Sequence, residues 1–432
     1  MRILTSQEFK EKMLDAVLNR GKTDLSSISS SVKKIITDVR ENGDEALLLY
    51  TEKFDNVRLT KSKLKVTKKE IEKSYEKLET EQINALKKAA LNITRFHESQ
   101  IRNAWSLETT KGVTVGQVTR PLSSVGVYTP RGEASYPSSV LMCAIPAKIV
   151  GIKKIIVCSP PRKNGYTNPA LLVAADIAGV TEIYRVGGAQ AIAAMAYGTE
   201  TVPKVDKIIG PGNVFVTAAK LEVSKDVAID IPAGPSEVLI IADETANASF
   251  VAADLLAQAE HDPRAWAILL TTSKDLALAV EKEVRKQWES LSRKETVKSS
   301  MQTGGLIVLI KNLEEAVDYA NLIAPEHLQI LTRTPRKVFD KIQSAGAVFL
   351  GQYSPVAFGD YSAGLNHVLP TGGYAKSYSG LSTRDFVKTI NFLECSKKGY
   401  LSLERMTVTL AKLEGFNGHT RSVSIRGDKS EN

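Results

Sequence analysis

The sequence predicts an α/β architecture: two doubly wound, incompletely Rossmann-like parallel-sheet domains, a helical N-terminal segment and a small helical C-terminal tail domain. Three observations carry that expectation. From about residue 153, short apolar runs alternate with helix-period segments, a pattern that implies parallel strands joined by helical crossovers. The alternation comes as two successive series, parted near GPSE at residues 234 to 237. The chain has 432 residues, and one core rarely grows far beyond about 250.

The first hundred residues lead in with helices, because Val32, Ile35, Ile36 and Val39, and later Ile83, Leu86, Ala90, Ile93 and Phe96, recur at helical spacing. The apolar period switches to two in KGVTVGQV (111 to 118) and SSVGVYTP (123 to 130), which marks strands. KKIIVCSP, NPALLVAADIAG and TEIYRVGG read as strand, helix and strand, and AQAIAAMAYG, VDKIIGPG, NVFVTAAKLEV and VAIDIPAG continue the alternation. The second series runs through EVLIIAD (237 to 243), a helix over 247 to 259, RAWAILLTT, a charged helix over 274 to 293, GGLIVLI, a helix over 312 to 322, and AGAVFLG. A periodic helix near 400 to 413 and a polar end, GFNGHTRSVSIRGDKSEN, close the chain.

Composition excludes several classes. The net charge of +9 lies largely in stretches such as KSKLKVTKKEIEKSYEKLE (61 to 79), where lysines alternate with glutamates as on a solvated helix face. With only 6% aromatic residues and none interleaved with the lysines, a nucleic-acid track is not expected. Nothing approaches an uninterrupted membrane span, and the charge-broken N-terminus has no signal-like apolar core. Cys143, Cys158 and Cys395 share no metal-ligand or redox spacing, so free thiols in a reducing, cytoplasmic compartment are expected.

Candidate chemistry sits in the glycine turns and among the histidines. GPGNVF (210 to 215) has two glycines of a dinucleotide fingerprint but Phe215 where the third belongs, and VGGAQ (186 to 190) follows a strand and opens a helix. Ordinary loop glycine and a nucleotide crevice at strand C-termini both remain open from these residues. In LLAQAEHDP, Gln258 and His261 stand three apart and can face one point, whereas Glu260 looks elsewhere. FGDYSAGLNHVLPTGG adds Asp360 and His367, and the tail adds His419; spacing alone makes no metal site of them. His97, in a plain helical run, is given no role. NLIAPEHLQI places Glu326 beside His327 after Pro325, either as a proton-transfer pair or as an acid in the first turn of a helix.

Several blocks, VGGAQAIAAMAYGTETVPKVDKIIGPGNVFVTAAK, IDIPAGPSEVLIIAD, LLAQAEHDP, APEHLQI, GDYSAGLNHVLPTGG and EGFNGHTRSVSIR, resemble in order and spacing those of the histidinol dehydrogenase family. The segment TPRGEASYPSS departs from it at Arg131, where the family usually has glycine, which bears on the cofactor loop. The resemblance implies the NAD-dependent, zinc-dependent oxidation of L-histidinol to L-histidine through L-histidinaldehyde. It implies zinc on Gln258, His261, Asp360 and His419, and NAD on Tyr128, Gln190 and Asn213. Substrate contacts would come from Ser236, His367 and Glu414 along with the zinc ligands and His327. His327 is implied as the base in both oxidations and Glu326 as the activator of water.

The resemblance further implies a homodimer whose tail crosses to the partner. It orders the chain as a helical segment, 1–28; a discontinuous zinc-bearing domain, 29–127 with 237–380; an NAD domain, 128–236; and the exchanged tail, 381–432. A related zinc and NAD oxidoreductase of another amino or sulfonated alcohol is the alternative.

Overall fold

The computed structural model describes residues 1–21, 26–130, 136–230 and 234–427, so Arg131 lies outside the described residues. The chain divides into two compact units, Met1–Gln100 with Leu122–Phe386, and Ile101–Pro121 with Val387–Asn432.

The first unit carries two parallel sheets, as the alternation predicts. The larger has six strands in the order Arg2–Thr5, Gly305–Leu309, Trp266–Thr271, Glu237–Ala242, His327–Leu331 and Ala347–Leu350. Every neighbouring pair is parallel. The smaller has five strands, Glu182–Tyr184, Lys154–Cys158, Ser124–Tyr128, Lys207–Ile209 and Ala228–Ile229, again all parallel. EVLIIA and WAILLT are buried at every position, because helices cover both faces of the sheet and no face is left to be polar. Each such Val, Leu or Ile removed from water stabilises the fold by roughly 1.5–3 kcal/mol.

Helices cover the smaller sheet from both sides. Val32, Ile35, Ile36 and Val39 of the helix Ser26–Asp55 pack with Ile192 and Met195 of Gly188–Tyr197, while Ala90 and Ile93 of Thr80–Glu98 pack with Pro137–Ile149. The N-terminal segment holds the helices Ser6–Lys12 and Leu14–Leu18, and before them Arg2–Thr5 adds an edge strand to the larger sheet beside Gly305–Leu309. His97, without an assigned role, is a buried core histidine: Nδ1 meets the Ile93 carbonyl at 2.8 Å and Nε2 meets Asn366 at 3.2 Å.

The second unit is an antiparallel sheet, in the order Val387–Cys395, Val113–Pro121 and Trp105–Thr110, with the helices Lys397–Leu413 and Asn417–Ser424. The tail is therefore helical only after a nine-residue strand, and the strand segment read over 111 to 118 joins it there. Trp105, Leu107, Leu393, Leu410 and Leu413 are all more than half exposed. Among the described residues no helix is long and apolar enough to cross a membrane. Cys143 and Cys158 are buried and Cys395 is exposed, all as free thiols.

One polar contact interrupts the larger core. Gln329 Nε2 donates to Asp254 on the helix Ala248–Ala259 at 2.6 Å, while Gln329 Oε1 is buried without a hydrogen-bond partner. Burial lifts the Asp254 carboxyl to about 6, opposed by that hydrogen bond. A carboxyl raised on folding contributes stability that is present below its ordinary value near 4 and is lost as pH rises through about 6. Asp254→Asn lacks that loss, and its amide has Gln329 Oε1 as a partner. Between pH 4 and pH 8 the variant should gain roughly 1–3 kcal/mol on the wild type in denaturant unfolding.

Candidate active site

A cleft of about 480 Å³ runs between opposite edges of the two sheets. On one side stand the C-terminal ends of the smaller sheet, where Gly210 follows Lys207–Ile209 and Asp230 follows Ala228–Ile229. On the other stand the N-terminal ends of the larger sheet, where His327 opens its strand just after Glu326. The expectation of a crevice at strand C-termini thus holds for the smaller sheet and is reversed for the larger.

Crossover helices run antiparallel to their strands, so each cleft wall receives a different helix end. At the smaller sheet's edge the helices Gly188–Tyr197 and Val214–Val223 begin, turning toward the cleft positive dipole ends that favour an anion. At the larger sheet's edge the helix Ala248–Ala259 ends near Gln258 and His261, and Leu313–Ile323 ends before Glu326. Those ends carry partial negative charge and favour a cation.

Glu326 does not start a helix, contrary to one of its two sequence readings. The preceding helix is stopped by Ala324 in the left-handed region (φ 50°), Pro325 cannot extend it, and Glu326 is the last residue before a strand. In an extended chain successive side chains diverge, but here the junction is irregular and brings both groups onto the cleft. Glu326 Oε2 lies 3.5 Å from His327 Nδ1, and His327 Nε2 lies 3.6 Å from Asp360 Oδ1. The latter is an ion-pair distance, too long for a hydrogen bond, and Nε2 is buried without a hydrogen-bond partner.

Burial pushes the Glu326 carboxyl up to about 7, partly opposed by His327. Burial also disfavours charge on His327, but the Glu326 and Asp360 carboxylates outweigh it and lift the imidazole to about 9. Asp360 is held low by the histidines around it in spite of burial, whereas burial lowers His261 and His367 and keeps them neutral, a form fit to bind a metal or accept a proton.

The side chains beneath this pair were not found from the sequence. Glu237, buried at the start of the neighbouring strand, accepts the Glu326 N–H at 3.1 Å, and its own N–H donates to Glu326 Oε2 at 2.9 Å. His327 Nδ1 lies 3.0 Å from the Glu237 carbonyl, and a carbonyl can only accept, so Nδ1 carries the proton and Nε2 is the nitrogen left to act. Arg20, from the N-terminal segment, pairs with both Glu237 oxygens, one at 2.6 Å, and with the Ile323 carbonyl at 3.0 Å. A Glu inside GPSE and an Arg 217 residues before it carry no local signal of pairing.

Of the other expected site residues, Ser236, His261, Asp360 and His367 line the cleft, and His367 bridges the Asp360 carbonyl at 2.9 Å and Ser139 Oγ at 3.1 Å. Gln258 is buried with Nε2 unpartnered. Among the described residues no three His, Cys, Asp or Glu side chains stand ready-made around a metal. Even so, the buried Gln258 amide, its Nε2 unpartnered and its oxygen the atom able to ligate, forms with an imidazole kept neutral and a carboxylate held ionised a nitrogen and oxygen set suited to zinc. Glu414 and His419 lie in the second unit, both exposed, at the end of Lys397–Leu413 and on Asn417–Ser424.

Of the three residues expected to hold NAD, only Asn213 lines the cleft, on the opposite wall; behind that wall Tyr128 accepts the Gly188 N–H at 3.1 Å, and Gln190 in the first turn of Gly188–Tyr197 has a buried Oε1 with no hydrogen-bond partner. Asn213 caps Val214–Val223, taking N–H bonds from Phe215 and Val216 at 3.1 Å each and leaving its amide N–H₂ for a ligand. Gly210 has φ +114° and lies so close to the Tyr128 carbonyl that a Cβ would overlap it. The glycine turn is fixed from below by Lys220, which donates to the Gly210 carbonyl at 2.7 Å and is ion-paired with Asp230, itself accepting the Gly210 N–H at 2.6 Å.

Two parallel sheets meeting edge to edge, with a buried acid and imidazole on the cleft between them, define an α/β enzyme whose chemistry moves protons. The chain belongs to the histidinol dehydrogenase family, a family of oxidoreductases, whose model matches residues 18–427. It is 48% identical over 416 residues to the histidinol dehydrogenase of Clostridium acetobutylicum, covering 96% of each chain. It is 48% identical over 419 residues to that of Methanothermobacter thermautotrophicus, covering 97% of this chain and 98% of the relative. The crystal structure of histidinol dehydrogenase from Elizabethkingia anophelis superposes with a TM-score of 0.93 at 41% identity, covering 98% of this chain and 97% of that one.

The buried Lys220–Asp230 pair gives a stability test of the glycine turn. Burial raises Asp230 while Lys220 opposes the rise, so Lys220→Met strands a carboxylate in the core. That variant should lose about 3–5 kcal/mol in thermal or denaturant unfolding, and Asp230→Asn added to it should restore a large part.

Proposed function

We propose that this chain catalyses the four-electron, NAD-dependent and zinc-dependent oxidation of L-histidinol to L-histidine through L-histidinaldehyde, as the last steps of histidine biosynthesis. The observation that carries it is the buried Glu326–His327 pair, whose Nε2 faces Asp360 across the cleft. Family membership supplies the substrate, and the geometry supports the roles.

Gln258, His261 and Asp360 would hold zinc together with His419 from the tail of a second copy, and when bound the metal would position and polarise the substrate's hydroxyl and amine. NAD would lie along Tyr128, Gln190 and Asn213, its pyrophosphate at the helix starts of the smaller sheet's edge, and would accept the two hydrides. Ser236, His367 and Glu414 would hold the rest of the substrate, with the Glu414 carboxylate toward the amino group.

His327, in its neutral form, takes the hydroxyl proton at Nε2, because Nδ1 is committed to the Glu237 carbonyl; zinc on Asp360 would withdraw one of the carboxylates that hold the imidazole charged. The same nitrogen takes the second hydroxyl proton once the aldehyde is hydrated. Glu326, lifted to about 7 by burial, accepts a proton from the water that adds to the aldehyde near neutral pH. Its Oε2 is steadied by the Glu237 N–H, so the carboxylate is held where the water must be activated.

A homodimer belongs to this reading. The second unit leaves Trp105, Leu107, Leu401, Leu410 and Leu413 exposed, and large apolar side chains left open in such number on so small a unit support a contact site there. A second copy covering it would bring Glu414 and His419 to the neighbour's cleft.

In stopped-flow and steady-state NADH assays, His327→Asn should abolish turnover of both alcohol and aldehyde. Glu326→Gln should slow aldehyde oxidation by about 10²-fold or more and alcohol oxidation less, the usual scale for loss of a general base. Selective damage to the alcohol step would exchange the two roles. A chain ending at Glu404 should lose both bound zinc and activity, while its circular dichroism still reports the α/β core.

A further inference from the structure

Beneath the proton-transfer pair lies a buried ion pair that its mechanism does not use. Glu237 and Arg20 side chains are only 3% and 2% exposed, yet both are charged groups, which are rarely buried so deeply unless paired. Glu237 accepts from Arg20 through both oxygens, and Oε1 also accepts the N–H groups of Glu326 and Gly372, each at 3.1 Å. Its backbone serves the pair as well, with its N–H on Glu326 Oε2 and its carbonyl on His327 Nδ1. Arg20 reaches the carbonyls of Val17 at 2.8 Å and Ile323 at 3.0 Å, so the same guanidinium ties the N-terminal helices to the end of the helix before Glu326. Gly21 approaches Gly372 so closely that a Cβ on it would come within 2.6 Å of the Gly372 Cα.

We propose that Glu237, locked by Arg20, is a positioning residue for the reaction: it sets the place of Glu326 and fixes His327 in the Nδ1–H tautomer that leaves Nε2 as the base. This rests on the assignment of Glu326 and His327 as the proton-transfer pair. Neither Arg20 nor Glu237 lines the cleft, so the effect of the ion pair reaches the substrate only through the two residues it supports. A displacement near 1 Å at such a site costs about 10²-fold in rate.

Removing one partner alone strands a buried charge and confuses misfolding with mispositioning. Replacing both by apolar residues of similar length, Arg20→Met with Glu237→Met, removes the charge problem and leaves the Glu326 N–H without its acceptor. In the zinc-loaded full-length enzyme, the double variant should unfold within a few degrees of the wild type. Its kcat should fall about 10²-fold, with KM for histidinol and for NAD within about threefold. A kcat within threefold of the wild type at unchanged melting temperature would overturn the proposal, and so would a loss appearing in KM alone.

Should the double variant not fold, Arg20→Lys keeps the charge but not the two-pronged contact. Its kcat per folded molecule, with folding measured by circular dichroism, should fall at least tenfold, and an unchanged value would overturn the proposal equally. His327→Asn in the same assay separates the two layers. If it is inactive while the double variant is fully active, only the positioning role fails; if it is active, the proton-transfer assignment itself fails.

Discussion

The buried pair of Arg20 and Glu237 is the constraint on which the cleft depends. Removing two charges from water costs several kcal/mol each, and only good geometry with further hydrogen bonds offsets it. Here the offset comes from a forked guanidinium on both carboxylate oxygens and from backbone donors of Glu326 and Gly372. Four separately folded pieces therefore meet at one carboxylate: the N-terminal helices, the strand Glu237–Ala242, the end of Leu313–Ile323 and the loop at Gly372. Without Arg20, Glu237 and Glu326 would be two buried acids at adjacent strand starts, and like charges there cannot both be held cheaply.

Opposed sheet edges give the cleft its division of labour. A parallel sheet gathers helix starts at its C-terminal edge and helix ends at its N-terminal edge, so the two edges have opposite electrostatic character. The smaller sheet offers starts, at Gly188 and Val214, and the larger offers ends, at Ala259 and Ile323. The polarity suits the ligands proposed above, an anionic dinucleotide on the first wall and a metal and an ammonium group on the second, and it suits the Arg20 guanidinium beneath the second wall. The reversal of the usual crevice rule for the larger sheet is thus what sets two walls of opposite polarity against each other.

Much of this was legible in the sequence, because strand and helix periods are local. The parallel sheets, the apolar strands EVLIIA and WAILLT, and the helix faces of Val32 to Val39 and Ala90 to Ile93 follow from residues within a turn or two of one another. The cleft was legible only in pieces: Gln258 and His261 share a helix end, but nothing in spacing joins them to Asp360 a hundred residues on, and the family resemblance joined them instead. Three features needed the third dimension. Arg2–Thr5 is too short to show a period, and its partner Gly305–Leu309 lies three hundred residues away. The PEH stretch offered every helix-start signal, and what overrode them was its pairing, with His327 opposite both Val238 and Ala347. Glu237 looked like the polar end of an apolar strand, since its meaning depends on Arg20.

The second unit makes a complementary point about incompleteness. A three-stranded antiparallel sheet is stable when an apolar face is covered, and here Val387–Cys395 leaves eight of its nine residues exposed, Ile390, Phe392 and Leu393 among them. The helix Lys397–Leu413 adds Leu401, Met406, Leu410 and Leu413 to the exposed set. Roughly 25 cal/mol for each Å² of such surface is available to whatever covers it. In the zinc site proposed above, the first unit would supply Gln258, His261 and Asp360, one donor short of the four that structural and catalytic zinc sites commonly assemble from protein and substrate. Under the proposed function one event would satisfy both deficits: association of two chains would bury the apolar surface and deliver His419 and Glu414 together. Under the proposed exchange, metal binding and dimerisation are then linked equilibria, each drawing stability from the other in proportion to the affinity it adds.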